Sequence, residues 1–340
     1  MRKTWKFFCF ELKKRLWAFV VLAAVCTLPY IAELSTMELF YVYPHHETGE
    51  LITVLNSTQI GLAIFALGAL CYLAPVFVYS FKMSKRGVDV YYALPLKKEK
   101  LYLVKTMVGL LLVLVPFTVM YWGGFLTLLF RADNPYDMFW YLPAYFGSAF
   151  LGICLFGMNA FLYTRGNTVA DGIVFMIAYI PFFMMIYAYV IQAFHFDWLY
   201  YAYESEFLSF GGLTEFGNEM SFLIARRENV KLSPLTFVVT PILGAVGYAL
   251  MFLLLRFEKG ENAEQVSDSW FGYKMLIPVY TAFMLALNLS AFDIISFCTV
   301  AVGAIVATVV YRRKFKFHLK WWAMIGGALA LGLFLGIPIV

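Results

Sequence analysis

The chain has 340 residues, 62% of them hydrophobic and only 14% charged, with a formal net charge of +5 and a mean hydropathy of +0.77. Soluble domains are near half apolar and about a quarter charged, so this sequence has too little charge to cover a soluble surface of its size. Many apolar runs reach the roughly 18 residues or more that cross about 30 Å of hydrocarbon, and the chain reads as an all-α, polytopic integral membrane helical bundle.

In chain order, Trp5, Phe8 and Leu12 recur at helical spacing with Lys6, Lys13 and Lys14 between them. That pattern predicts a basic amphipathic helix over 1–15 lying in the membrane interface, the alternative being a plain positively charged flank. The apolar run that follows starts like a signal peptide, but no A-x-A site follows Leu28 and the run continues to Ile31. Cys26 follows Ala23-Ala24-Val25, a poor lipoprotein signal. The run is therefore read as span 1, over 16–32.

A loop from Glu33 to Thr58 follows, with four glutamates and no Lys or Arg. Span 2 is expected at 59–80, a basic polar segment at 81–103, span 3 at 104–130, span 4 at 138–163 and span 5 at 168–195. A long loop, 196–234, precedes span 6 at 235–255. A charged segment, 256–274, leads to span 7 (275–290), span 8 (294–311), a basic stretch (312–320) and span 9 (321–340). The chain stops at Val340 directly after an apolar run, which fits a last span ending at the outer face or, the preferred reading, a fragment of a longer protein.

With the N-terminus in the cytoplasm, 22 of the 26 Lys and Arg fall in inside segments, leaving Arg131, Arg226, Arg227 and Lys231 outside. This split is the positive-inside signature, and it supports the order of spans as well as their orientation. The expected location is the plasma membrane, multi-pass, with a cytoplasmic N-terminus.

Catalytic signatures are missing. The sequence has no G-x-x-x-x-G-K-[ST], H-E-x-x-H or G-x-S-x-G, so no enzyme, cofactor or metal is expected. Cys9, Cys26, Cys71, Cys154 and Cys298 form no CxxC and read as buried small hydrophobes. His45-His46 reads as a solvated loop pair rather than a metal site. Lys105, Asp171 and Asp293 fall near span ends, where they can snorkel or meet water, which argues against a proton- or sodium-coupled carrier. Energy for transport would have to come from a partner. Gly147, Gly152 and Gly157 in span 4, and Gly332 and Gly336 in span 9, allow close helix approach, read first as packing within the chain.

The most informative segment is 82–105, Lys-Met-Ser-Lys-Arg-Gly-Val-Asp-Val-Tyr-Tyr-Ala-Leu-Pro-Leu-Lys-Lys-Glu-Lys-Leu-Tyr-Leu-Val-Lys. Its first half, up to Leu94, reads as a short interfacial helix with Val88, Tyr91 and Tyr92 on one face. Pro95 stops it, and Lys97-Lys98-Glu99-Lys100 opens a new helix into span 3. A basic loop on anionic lipid head groups would explain the lysines as well.

This pattern resembles the permease subunits of type-2 ABC transporters, the exporter-like branch, in the form found in Gram-positive bacteria. The matching positions are Lys85, Arg86, Gly87, Asp89, Leu94, Pro95, Lys97, Lys98, Glu99 and Lys105. The resemblance implies that this segment, with Tyr91 and Tyr92, is the coupling helix that docks on an ATPase, and that residues 1–15 are an elbow helix. It further implies a six-span permease domain over 16–255, about three additional spans over 256–340, a separate cytosolic ABC ATPase subunit, and a second permease subunit as homo- or heterodimer. The implied function is ATP-powered movement of a substrate, amphipathic, peptide or lipid-like, across the membrane, with no nucleic acid involved. The alternative is a non-transporting scaffold, or a sensor signalling through loop 196–234.

Overall fold

The computed structural model describes residues 2–44, 51–131, 134–194, 210–226, 236–257, 260–287, 294–312 and 319–336. Outside one hairpin, every regular element among them is helical. The α-helices are α1 (Arg2–Lys14), α2 (Leu16–Thr36), α3 (Gly61–Tyr79), α4 (Lys85–Tyr92), α5 (Lys98–Leu129), α6 (Tyr141–Thr164), α7 (Val169–Phe194), α8 (Phe210–Ile224), α9 (Thr236–Leu254), α10 (Met275–Leu287), α11 (Ile294–Arg312) and α12 (Leu319–Gly336).

Among the described residues, six helical stretches are long and apolar enough to cross a membrane: Leu16–Thr36, Gly61–Met83, Lys98–Leu129, Met138–Thr164, Phe237–Phe257 and Trp270–Leu287. Three shorter apolar stretches, Val169–Phe183, Phe297–Arg312 and Leu319–Leu335, lie in α7, α11 and α12. The six long stretches fit a multi-pass membrane protein.

Two details depart from the sequence reading. The loop after α2 contains an antiparallel hairpin, β1 (Phe40–Pro44) and β2 (Leu51–Leu55), with Phe40 opposite Leu55 and Pro44 opposite Leu51. Its aromatic and β-branched residues suit strands, and the segment is too short and interrupted for a helix. Asn56 pins the open end: its backbone N–H donates to Leu39 O at 2.8 Å and its amide to Glu38 O at 3.0 Å. The second departure is α8, which lies within the expected loop 196–234. Leu213, Phe216, Met220 and Ile224 are buried along one side of it, a helical i, i+3, i+4 stripe hidden in a segment of mixed polarity. The tyrosine-rich stretch Tyr200–Tyr203 beside Trp198, a composition that suits an aromatic belt at the outer interface, lies outside the described residues.

The chain forms two compact units: Met1–Val78, Leu94–Ala160 and Ser209–Arg256 make unit 1, and Tyr79–Ala93, Phe161–Leu208 and Phe257–Val340 make unit 2. A boundary falls at Arg256–Phe257, close to where the sequence places the end of the six-span region. Residues 79–93 and 161–208, however, group with the C-terminal part rather than with the spans beside them in sequence.

In unit 1, α2 packs along α5, and α1 folds against the start of α5. Glycines let helices approach: a Cβ on Gly124 would lie 2.1 Å from the Tyr30 ring. The three glycines of α6 each receive a side chain from a different helix, Gly147 from Phe216, Gly152 from Leu67 and Gly157 from Tyr248. They serve packing within the chain. Hydrogen bonds add to this: Tyr248 Oη donates to Ile153 O at 2.9 Å, Asn159 to Cys71 O at 3.3 Å, and Gln59 to Ser221 O at 2.7 Å. Such interhelical bonds average about 0.6 kcal/mol in membranes, so close packing by small residues carries more of the association. In unit 2, α10 packs on α12, and Gly332 brings the helices close enough that its Cβ would lie 2.7 Å from Ala282 O.

Charged side chains bind helix ends in unit 1. At one end Arg15 reaches Phe77 O at 3.4 Å and Glu11 meets Lys105. At the other, Arg131 donates to Leu34 O at 3.2 Å and Met37 O at 3.0 Å, satisfying carbonyls at the end of α2.

Lys105 corrects the sequence reading. It neither snorkels nor meets water: its side chain is fully buried, 2.9 Å from Glu11 Oε2, which is also fully buried. Arg15 pairs with the same carboxylate oxygen. Helix α1 turns Thr4, Phe7, Phe8, Glu11 and Leu12 inward and leaves Trp5 and Phe10 exposed. The inward face thus carries an acid that apolar periodicity does not register. Of the cysteines, Cys71 and Cys154 are buried, Cys26 is half-buried, and Cys9 and Cys298 are exposed. For those last two an apolar neighbourhood in sequence marks a helix face and not a core. Asp293 and all four histidines lie outside the described residues.

Candidate functional site

Helix α4 opens at Ser84, whose extended backbone (φ −122, ψ 136) places its side chain over the first turn. Ser84 Oγ accepts from Gly87 N at 3.1 Å, an N-cap bond that satisfies one donor with no intrahelical partner. Gly87 is required by space: a Cβ there would lie 2.3 Å from Phe81 O and 2.7 Å from Ser84 Oγ. The first of these atoms is backbone and cannot move aside. The chain therefore doubles back tightly from the turn at Ser80–Met83 into α4.

The packed face is the one expected. Val88 is buried and its Cγ1 lies against Gly260, with the Tyr92 ring beside it. The Tyr91 ring packs on Phe81 at a tilt of 50°, with centroids 4.6 Å apart. The helix ends at Tyr92, two residues before Leu94, because Ala93 caps it and Leu94–Leu96 forms a tight turn closed by Leu96 N donating to Leu94 O at 2.7 Å. Pro95 sits in that turn. Lys97 is extended (φ −63, ψ 142) and α5 starts at Lys98, with Glu99 in its first turn, where an acid favours the positive end of the helix dipole.

Two other segments read as lying on the inside hold α4 from below. The first is the turn after α6: Lys82 donates to Thr164 O, and Ser80 Oγ lies 2.9 Å from Tyr163 Oη. The second is 260–274. Glu264 Oε1 accepts the backbone N–H of Lys85 at 3.1 Å, and Glu264 N donates to Asn167 O at 3.0 Å. Helix α4 has no acid in its own first turn, so Glu264 supplies the negative charge its N-terminus favours. Glu264 has φ 66, a left-handed conformation that non-glycine residues adopt uncommonly and mostly where surroundings impose it. Ser267 Oγ donates to Arg165 O at 2.7 Å and Tyr311 Oη to Ser267 O at 3.1 Å, tying this floor to the end of α11. Asp171, half-buried, accepts from Tyr273 Oη at 2.9 Å.

Away from this floor, Lys85, Arg86, Asp89, Val90 and Ala93 are exposed. Arg86, Asp89, Val90 and Ala93 follow i, i+3, i+4, i+7 spacing and form one outward stripe. Val90, an apolar residue 59% exposed, stands between two charges. In unit 1, Lys97, Lys98, Glu99 and Lys100 are exposed as well.

Of the predicted site residues, the structure brings Lys85, Arg86, Gly87, Asp89, Tyr91 and Tyr92 onto α4. It puts Leu94 and Pro95 in the turn and Lys97, Lys98 and Glu99 at the head of α5. Lys105 lies apart, in the buried ion cluster with Glu11. Sequence reasoning missed Ser84 and Glu264. Ser84 was visible as a cap residue three before Gly87; Glu264 is 179 residues from its partner and no local signal connects them. Among the described residues no group of His, Cys, Asp or Glu could hold a metal ion. No family model, curated protein or solved structure matches this chain.

Proposed function

We propose that this chain is the membrane-spanning permease subunit of an ATP-binding cassette transporter of the exporter-like type, crossing the plasma membrane about nine times with its N-terminus in the cytoplasm. The observation that carries this reading is α4: eight residues, fixed at its N-terminus by Ser84 and Glu264 and floored by two further inside segments, with a mixed charged and apolar stripe turned outward. A transmission helix needs that combination, stiffness below and a free face above. Polar, charged and apolar residues together suit a groove on another protein.

In this reading α4 docks on a cytosolic ATPase through Arg86, Asp89, Val90 and Ala93. After α4 the chain passes through the turn at Leu94–Leu96, which Pro95 stiffens. A second permease subunit completes the complex, and the substrate is amphipathic, peptide or lipid-like.

The test is purification of the full chain from its native membrane and a search of the eluate for a P-loop ATPase. The ATPase co-purifies, and Arg86→Glu or Val90→Asp abolishes its recovery while the chain's thermal unfolding stays unchanged. If no ATPase is recovered, and charge reversal at Lys85, Arg86, Lys97 and Lys98 leaves transport intact, the proposal is wrong.

A further inference from the structure

We propose that a cleft between the first turns of α5 and the last turn of α9 binds the phosphate of an anionic phospholipid. The cleft, about 400 Å³, is lined by Glu99, Lys100, Leu103, Phe252, Leu253 and Arg256, all within unit 1. It does not depend on the transporter reading.

Depth is the first argument. Membrane-crossing stretches run Lys98–Leu129 and Phe237–Phe257. The cleft therefore sits where α5 enters the bilayer and α9 leaves it, at head-group level. Charge is the second. Lys100 from one helix and Arg256 from the other converge on the cleft against the single acid Glu99, leaving it positive. Among the described residues neither Lys100 nor Arg256 makes an ion pair. Basic pockets between membrane helices take anionic head groups, and the Arg fork matches two phosphate oxygens at once.

The third argument is what lies beneath. Leu103 and Leu253 are 52% and 61% exposed, in stretches long and apolar enough to cross a membrane. On α9 the exposed residues Ile242, Val246, Ala249 and Leu253 form a stripe that runs up to Arg256, about 16 Å long at 1.5 Å per residue. An acyl chain lies along that stripe when the phosphate sits between Lys100 and Arg256. A small free anion would use only the cations, and a protein groove would not need the apolar stripe at membrane depth.

The test is native mass spectrometry of the purified full chain after incubation with mixed micelles containing equal phosphatidylglycerol and phosphatidylcholine. Wild type retains phosphatidylglycerol about thirtyfold over phosphatidylcholine, the scale of two basic side chains near an anionic head group. The double variant Lys100→Gln/Arg256→Gln loses that preference. The swap Lys100→Arg/Arg256→Lys keeps it, as does Lys3→Gln/Lys6→Gln, which removes equal charge from exposed positions on α1. Four results would each overturn the proposal: no preference in wild type, equal loss in the Lys3/Lys6 control, displacement by millimolar inorganic phosphate, or loss of a co-purifying ATPase with the lipid adduct unchanged in the Lys100/Arg256 variant.

Discussion

Lys105 Nζ lies 2.9 Å from Glu11 Oε2, and neither side chain is reached by solvent. The pair joins α1, which precedes the first membrane helix, to the body of α5, which is separated from it by two crossings. Removing one partner of a buried pair leaves an uncompensated charge and costs about 3–5 kcal/mol, whereas replacing both by apolar residues is often neutral. Glu11→Gln and Lys105→Met are each expected to lower thermal unfolding temperature strongly in detergent. The double variant Glu11→Leu/Lys105→Met recovers most of the loss, because Arg15 keeps its bond to Phe77 O. Equal, additive losses in a double-mutant cycle would refute the coupling.

The same pair sets an acid limit. Burial pushes the Glu11 carboxyl up, but Lys105 and Arg15 outweigh it and hold the group below its ordinary value of 4.5. A depressed carboxyl contributes stability that is present above the unfolded value and lost as pH falls through the folded one. Unfolding temperature is therefore expected to be insensitive to this group between pH 7 and 5 and to drop below about pH 4.5. In Glu11→Gln the acid limb flattens, read by unfolding scans across that range.

Capping of α4 gives a separable test. Ser84→Ala removes the bond to Gly87 N and is expected to cost about 1 kcal/mol, with Ser84→Asp recovering it. Glu264→Gln keeps a side-chain acceptor near Lys85 N but removes the charge, and Glu264→Ala removes both. A Val90→Cys reporter on α4 should gain mobility by spin-label spectroscopy in the order Gln, then Ala. No change in Glu264→Ala would mean that the helix is held from its own side alone.

Gly87→Ala is expected to be damaging out of proportion to its size. The new Cβ meets Phe81 O at 2.3 Å, and relieving it shifts the backbone at a cost of about 1–3 kcal/mol. Gly326→Ala, where nothing lies within 4 Å, is the matched control: in a helix interior it stabilises by about 0.5–1 kcal/mol. Unfolding temperatures moving in opposite directions would bear this out.

Hydropathy determined by itself where the apolar helices lie, because the length needed to cross a membrane acts locally along a chain. Pro95, the basic run and the Val88–Tyr91–Tyr92 face likewise announced α4 and the start of α5, since helix stops and amphipathic spacing are short-range signals. Tertiary structure alone decided the rest. It buried Lys105, expected to snorkel or meet water near a span end, against Glu11 of the helix expected in the membrane interface. It drew residues 79–93 away from their sequence neighbours into the unit with 257–340, and it turned Glu264 toward a helix 179 residues away. Each of these depends on which faces close on each other, and a pairing between distant, individually unremarkable polar residues leaves no mark on the local pattern of either.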